Sequence, residues 1–348
     1  MKYNGQQLED INKIGVIMFG LLGDVILRTP VIRALKELYP HAKIVALVDP
    51  IGKAVLEHTP DVDEILVFDR KKEKNKLKQN LKKIASILRV RKEKFDLLVN
   101  LYNAGLSRPM VFFSGASYTL GFCQQKSKYL YNVLNECAPD RLKEEQSLYN
   151  YMISIVEALS DKKFSLKPVF EVSEDEEKIM QKYLNSFGYE RDKLYTLNLA
   201  SSKEDKILEF EKYFFIVEYL YKNYGFVPAI VSNPSQEYLQ ERFVDEYMKN
   251  SDIPYIKLKP LSLGEVAAVI KLTRFIVTPD TGLMHLAMAL DSYIFTIFTY
   301  THPIFVDPEN EKFIAVYERF EKGKLYQKQN ISRNQLEQSV DILLNRLR

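Results

Sequence analysis

Three short stretches of this 348-residue chain bring together side chains that could do chemistry. The first is FGLLGDVILRTPVIRALKELYP, residues 19–40. Gly20 and Gly23 flank a turn after an apolar run, with Asp24 at its mouth. A carboxylate there can cap the helix that follows, or take a proton from a hydroxyl brought to it. The second, TPDTGLMHLAMALDSYIFTIFTYTHP, covers residues 278–303. Asp280, Thr281 and Gly282 open a helix directly after a strand, so the N–H groups of Thr281 and Gly282 and the helix dipole favour a diphosphate. His285 lies about one helical turn further on, on the same face. The plainer alternative is a capping aspartate beside a partly buried histidine. The third stretch, ASSKEDK at 200–206, offers the Ser201 and Ser202 hydroxyls and the cations of Lys203 and Lys206. Alone it reads as a polar loop, and it gains meaning because its strand is expected to lie near the Asp280 strand.

The elements that must position these residues alternate. KIGVIMF (13–19), KIVALV (43–48), EILVF (64–68) and DLLVNL (96–101) are short apolar runs separated by helical patterns. The first has Val31, Leu35 and Leu38 at helical spacing and Pro40 after its end, the second is short and before Pro60, and the third is at about 73–94. The second half repeats the pattern, with strands at 193–200, 226–232, 254–258, 274–278 and 293–298. Helices are expected there at 210–223, 235–249, 262–271, 282–290 and 332–347. Such alternation reads as βαβ units on parallel sheets. A polar stretch with Pro168 and the acidic run Glu174 to Glu177 separates the halves, so the boundary is placed near 165–175. Two Rossmann-like domains facing across a cleft, with ligands at the carboxyl ends of their strands, are the predicted α/β architecture.

Composition removes several classes. No run approaches the roughly 18 apolar residues of a membrane span, and the first thirty residues carry acids where a signal peptide needs an apolar core. Cys123 and Cys137 are the only cysteines, and the four histidines show no HxxxH or HxH spacing, so neither a disulfide framework nor a metal site is expected. The expected location is the cytoplasm. A dinucleotide site lacks its GxGxxG fingerprint, because Gly20-Leu21-Leu22-Gly23 has the wrong spacing. Asp49, at the end of the second strand, falls about where a ribose-binding acid would stand.

Together the three stretches resemble glycosyltransferase family 9, the bacterial ADP-heptose:lipopolysaccharide heptosyltransferases, over nearly the whole chain. GDVILRTPVIRALKELYP is similar to the family's GD-V-L-x-T-P-x-L-x-x-L-x-x-x-x-P element, PDTGLMHLAMAL to its D-T-G-x-x-H-x-A-A-L signature, and ASSKEDK to its A-T-T-x-x-D-K. The resemblance implies a GT-B fold, with an acceptor-binding domain at 1–168 and a nucleotide-sugar-binding domain at 169–348. The last helix, 332–347, could pack back on the first domain. It also implies inverting transfer from an ADP-activated heptose, or a similar sugar, to a lipopolysaccharide inner core or related glycan, with no metal and no cofactor beyond the donor substrate. By position, Asp24 matches the general base. Ser201, Ser202, Lys206, Gln236, Glu237, Leu261, Asp280, Thr281, Gly282 and His285 match the donor side, and Gly23, Lys71, Lys72 and Lys74 the acceptor side. The chain departs from the pattern in four places. It has no Trp, and Ile207-Leu208 follows the lysine motif. Ser201-Ser202 replaces a Thr pair, and Gln236, with Glu237 beside it, stands for a ribose-contacting glutamate. The family's F-G-P-T-D-P loop reads Phe298-Thr299-Tyr300-Thr301-His302-Pro303.

Charge is uneven. Residues 70–94 hold twelve Lys or Arg against Glu73 and Glu93, with Leu77, Leu81, Ile84 and Leu88 at helical spacing. Such a basic amphipathic helix is either a solvated face or an attractor for an anionic glycolipid acceptor and the cytoplasmic face of the inner membrane. No nucleic-acid module is legible. Asp61-Val62-Asp63 precedes a strand at the edge away from the ligands and reads as a turn. Three other readings stay open: a different nucleotide-sugar donor, a protein acceptor, and a sugar-nucleotide-binding protein without catalysis. A nicotinamide oxidoreductase is disfavoured by the missing fingerprint.

Overall fold

The computed structural model describes residues 8–122, 128–133, 147–232, 235–306, 310–321, 324 and 326–347. Cys123 and Cys137 lie outside them. The chain divides into two compact units, one ending at Phe170 and the other beginning at Glu171.

The first unit contains β1 (Lys13–Ile17), α1 (Leu22–Leu38), β2 (Lys43–Val48), α2 (Pro50–Leu56), β3 (Glu64–Val67), α3 (Lys76–Lys92), β4 (Leu97–Asn100), α4 (Ser107–Phe113), β5 (Tyr118–Gly121) and α5 (Leu148–Glu157). Its sheet is ordered β3-β2-β1-β4-β5 and every pairing is parallel. β1, β2 and β4 are buried almost throughout, as strands covered on both faces must be. One core joins Ile17, Val45, Leu47 and Leu66 to Val90, Met110 and Val111. Pro30 sits inside α1 and has no N–H to give to the Ile26 carbonyl. The Thr29 hydroxyl takes that acceptor instead at 2.7 Å, and itself accepts from the Val169 N–H at 2.7 Å. The Thr-Pro pair is thus accommodated without an orphaned carbonyl.

The second unit runs through α6 (Glu174–Asn185), β6 (Leu194–Asn198), α7 (Phe210–Tyr224), β7 (Val227–Val231), α8 (Glu237–Phe243), β8 (Ile256–Lys257), α9 (Leu263–Leu272), β9 (Ile276–Pro279), α10 (Gly282–Ala289), β10 (Ile294–Ile297), β11 (Phe313–Val316) and α11 (Arg333–Leu347). Its sheet is ordered β11-β10-β9-β6-β7-β8, again parallel. Leu336, Val340, Leu343 and Leu344 of α11 are buried in the core shared with Tyr195, Leu197, Ile216 and Phe275. The apolar side of the last helix is therefore part of the second unit's core. With two Rossmann-like units, the chain has the α/β architecture of the GT-B class.

Three differences from the expected elements have plain causes. β5 and β11 are not among the expected strands: Tyr118-Thr119-Leu120-Gly121 of β5 lacks a continuous apolar run, and no α-helix of the described residues precedes β11 to set it off from β10. The helix expected at 235–249 is α8 followed by a wider turn at Val244–Met248. The acidic run at 174–177 is the first turn of α6 rather than a linker. Ser173 caps that helix, and Glu176 reaches back to the Ser173 N–H at 3.0 Å, a capping box.

Candidate functional site

In the first unit the site is the turn between β1 and α1. Gly20 has φ +147°, and a Cβ added to it would lie 2.7 Å from Asp24 Oδ2. The glycine is therefore what lets Asp24 fold back over the turn, where its Oδ2 accepts the Leu21 N–H at 2.9 Å. Asp24 is exposed and has no ion-pair partner among the described residues. Gly23 lies beside it in the first turn of α1.

Asp49, at the carboxyl end of β2, holds this turn from below. Its Oδ2 accepts the Gly20 N–H at 2.9 Å. Arg70 then grips both oxygens of Asp49, Nε to Oδ1 at 2.6 Å and Nη2 to Oδ2 at 2.6 Å. The same guanidinium lies over the rings of Phe19 and Tyr102, 4.5 and 4.7 Å from their centres. The hydrogen bonds it donates to Asp49 raise the proton affinity of Arg70 further above its ordinary value, so the clamp stays charged. Asp49 is engaged in positioning the turn, not set out for a ribose. Arg28, one helical turn behind Asp24, is buried and donates to the Phe19 carbonyl at 2.5 Å. Burial lowers its proton affinity, and the Asp24 carboxylate acts in the opposite direction. Lys71, Lys72 and Lys74 are exposed on the loop that follows Arg70.

In the second unit the site forms where β6 and β9 end side by side. Lys206 Nζ lies 2.5 Å from Asp280 Oδ2, with side-chain exposures of 20% and 8%. An ammonium has three donors and Asp280 takes one, so among the described residues two remain for a ligand. Thr281 caps α10, its hydroxyl accepting the Leu283 N–H at 3.1 Å, and Gly282 is the first helical residue. His285 is buried on the same helix. Ser201 is buried too, and its Oγ has no hydrogen-bond partner among the described residues. A buried hydroxyl left unsatisfied in a strand-end loop marks a place that a polar ligand would fill.

Two contacts the sequence did not reveal hold these loops. Asn198, the last residue of β6, donates to the hydroxyl of Thr278 at 2.9 Å and to that of Thr281 at 3.5 Å. It also accepts the Ala200 N–H at 3.1 Å, tying the serine loop to the Asp280 loop. A buried asparagine at the end of an apolar strand was the only signal available. Thr299, where the family pattern has glycine, donates its hydroxyl to the Asp205 carbonyl at 2.6 Å, one residue before Lys206. Gln236 donates to the Ser201 carbonyl at 2.6 Å. Ser202 is exposed, Leu261 is buried just before α9, and Glu237 begins α8 half-buried. Neither Ser202 nor Glu237 is hydrogen-bonded to the Lys206–Asp280 pair.

The Asp61-Val62-Asp63 segment is the turn expected. Asp63 accepts the Ile44 N–H at 2.7 Å, and Asp61 pairs with Arg33 at 3.4 Å. Among the described residues no group of three or more His, Cys, Asp or Glu is arranged to hold a metal ion. No helix of the described residues is long and apolar enough to cross a membrane.

The sequence matches the family model of glycosyltransferase family 9 (heptosyltransferase) over residues 84–335. No curated protein matches it. The fold is similar to that of the glycosyl transferase family 9 protein from Veillonella parvula DSM 2008, with a TM-score of 0.81 at 21% identity, covering 98% of this chain and all (100%) of that one. It is also similar to E. coli ADP-heptose lps heptosyltransferase II, with a TM-score of 0.74 at 19% identity, covering 96% and 99% of the two chains. E. coli heptosyltransferase WaaC with ADP gives 0.70 at 17% identity, covering 94% and 99%.

Proposed function

The chain belongs to glycosyltransferase family 9, and on that premise we propose that it transfers a heptose, or a sugar of similar shape, from an ADP-activated donor to a lipopolysaccharide inner core or related anionic glycan in the cytoplasm. The observation that carries this reading is the Lys206–Asp280 pair at the start of α10, with the Ser201 hydroxyl, unpartnered among the described residues, on the loop that Asn198 ties to it. A nucleoside diphosphate leaves with growing negative charge, and preorganised donors at that place stabilise it. Lys206, Ser201 and the N–H groups at the start of α10 supply such donors without a metal. The E. coli relative in complex with ADP supports the choice of nucleotide.

Asp24 takes the acceptor side of the chemistry. Inverting transfer needs one carboxylate to accept the proton of the attacking hydroxyl as that oxygen bonds to the anomeric carbon. An exposed carboxylate on a glycine turn, held by the Asp49–Arg70 clamp, can meet an incoming hydroxyl. Lys71, Lys72 and Lys74 are exposed, follow Arg70 of that clamp in the chain, and would attract phosphates of the acceptor.

Calorimetric titration with ADP, UDP and GDP in the presence of a chelator tests the donor. Preference for ADP supports the reading. Preference for UDP or GDP overturns the donor and points to the Thr299 loop. Binding of none of the three favours a protein with a different ligand.

A further inference from the structure

We propose that α3 docks the first unit on an anionic lipid surface, through an aliphatic stripe that the fold leaves in solvent. Leu77, Leu81, Ile84 and Leu88 are 69%, 58%, 53% and 56% exposed. They recur at i, i+4, i+7 and i+11, so they form one line along the helix. The helix does have a packed side, formed by Gln79, Lys82, Ser86, Ile87 and the fully buried Val90. At 100° per residue that side lies opposite the aliphatic line. The stripe is therefore not a core face short of its partner; it points directly away from the domain.

The charges around it identify the occupant. α3 carries seven Lys or Arg and no acid over its 17 residues. Lys78 and Lys92 flank the stripe on one side, Lys76 and Arg91 on the other. Long basic side chains beside an apolar line can reach lipid phosphates while the aliphatic residues enter the acyl boundary. A groove lined by Ala85, Leu88, Arg89, Arg91, Lys92 and Lys94 at the end of the helix has the same combination of apolar floor and basic rim. Next to it, Arg91 donates to the carbonyl of Phe113 at 3.2 Å. Phe112, Phe113 and Tyr129 there are 59%, 49% and 69% exposed, extending the apolar surface with aromatic rings. A second copy of the chain fits worse, because pairing α3 with itself would oppose two rows of cations.

The inference concerns where the protein sits, not what it transfers, so it is tested without donor or acceptor. The full chain is floated with vesicles of phosphatidylcholine alone and of phosphatidylcholine with phosphatidylglycerol. Binding is expected to the anionic vesicles and to weaken with salt. The exposed double variant Leu81→Gln/Ile84→Gln is expected to bind them about tenfold more weakly or worse, with an unchanged thermal unfolding curve. Failure of the wild type to float overturns the proposal. So does undiminished flotation of the double variant, which would show that charge alone is at work. Self-association of the wild type that the variant abolishes, without flotation, assigns the stripe to a second copy.

Discussion

Asp24 and Asp280 are the same side chain at nearly the same structural address, the passage from a strand end into the following helix, one in each unit. Their surroundings are opposite. Asp24 is exposed and accepts a single backbone N–H. Asp280 is buried and holds Lys206 at 2.5 Å. A carboxylate that must receive a proton from a substrate has to be open. A carboxylate that holds a cation in place has to be enclosed, where the attraction is not screened by water. Position on the sheet edge thus makes both residues candidates, and burial divides their duties. The supports differ in the same sense. The first unit braces its turn from behind, through Asp49 and Arg70, and leaves Asp24 clear. The second unit ties its loops to each other through Asn198 and Thr299.

The comparison can be broken most forcefully at Lys206. Lys206→Met leaves Asp280 buried without its cation, and removing one partner of such a pair costs about 3–5 kcal/mol of stability. Chemical denaturation should show that loss, and ADP binding should weaken strongly. Adding Asp280→Asn should restore most of the stability without restoring ADP binding. Equal stability of the single variant and the wild type would mean that the pair is not enclosed.

Arg70→Lys sharpens the first unit's side. The charge is retained, but the fork on Asp49 and the stacking on Phe19 and Tyr102 are lost. Loss of one hydrogen bond to a charged partner, about 1.5 kcal/mol, corresponds to about a tenfold lower kcat. The dissociation constant for ADP should not change. A fall in ADP affinity with kcat unchanged would separate the clamp from Asp24.

Thr299→Val has the smallest expected effect. It keeps the shape and removes the hydroxyl that holds the Asp205 carbonyl. A net hydrogen bond of about 0.5–1.5 kcal/mol predicts ADP binding weaker by roughly two- to tenfold. If affinity is unchanged, Lys206 is positioned without that loop.

Much of this was legible in the sequence, and the reasons are local. The turn at Gly20 interrupts an apolar run and precedes a helical repeat, so β1, the turn and α1 are visible in one window of residues. The same holds for β9, Asp280 and α10. What escaped is mostly non-local. Asp49 and Arg70 are 21 residues apart and Gly20 and Asp49 are 29 apart, so no window links them. Arg28 looks like one more helical charge until the fold buries it. α6 was locally readable, since Ser173 and Glu176 are a capping box, but its acids suggested a linker. The exposure of Leu77, Leu81, Ile84 and Leu88 also needed the fold, because periodicity alone shows a stripe and not which way it points.

The most direct measurement is transfer by Asp24→Asn beside its ADP titration. Asparagine can still accept the Leu21 N–H, and the site is exposed, so folding should be within about 0.5 kcal/mol of wild type. The expected result is a kcat about 10²- to 10⁴-fold lower with ADP affinity unchanged, because a general base has been removed and the donor site has not. Retention of most of the turnover would contradict the assignment of Asp24 as the base, and with it the division of duties between the two aspartates.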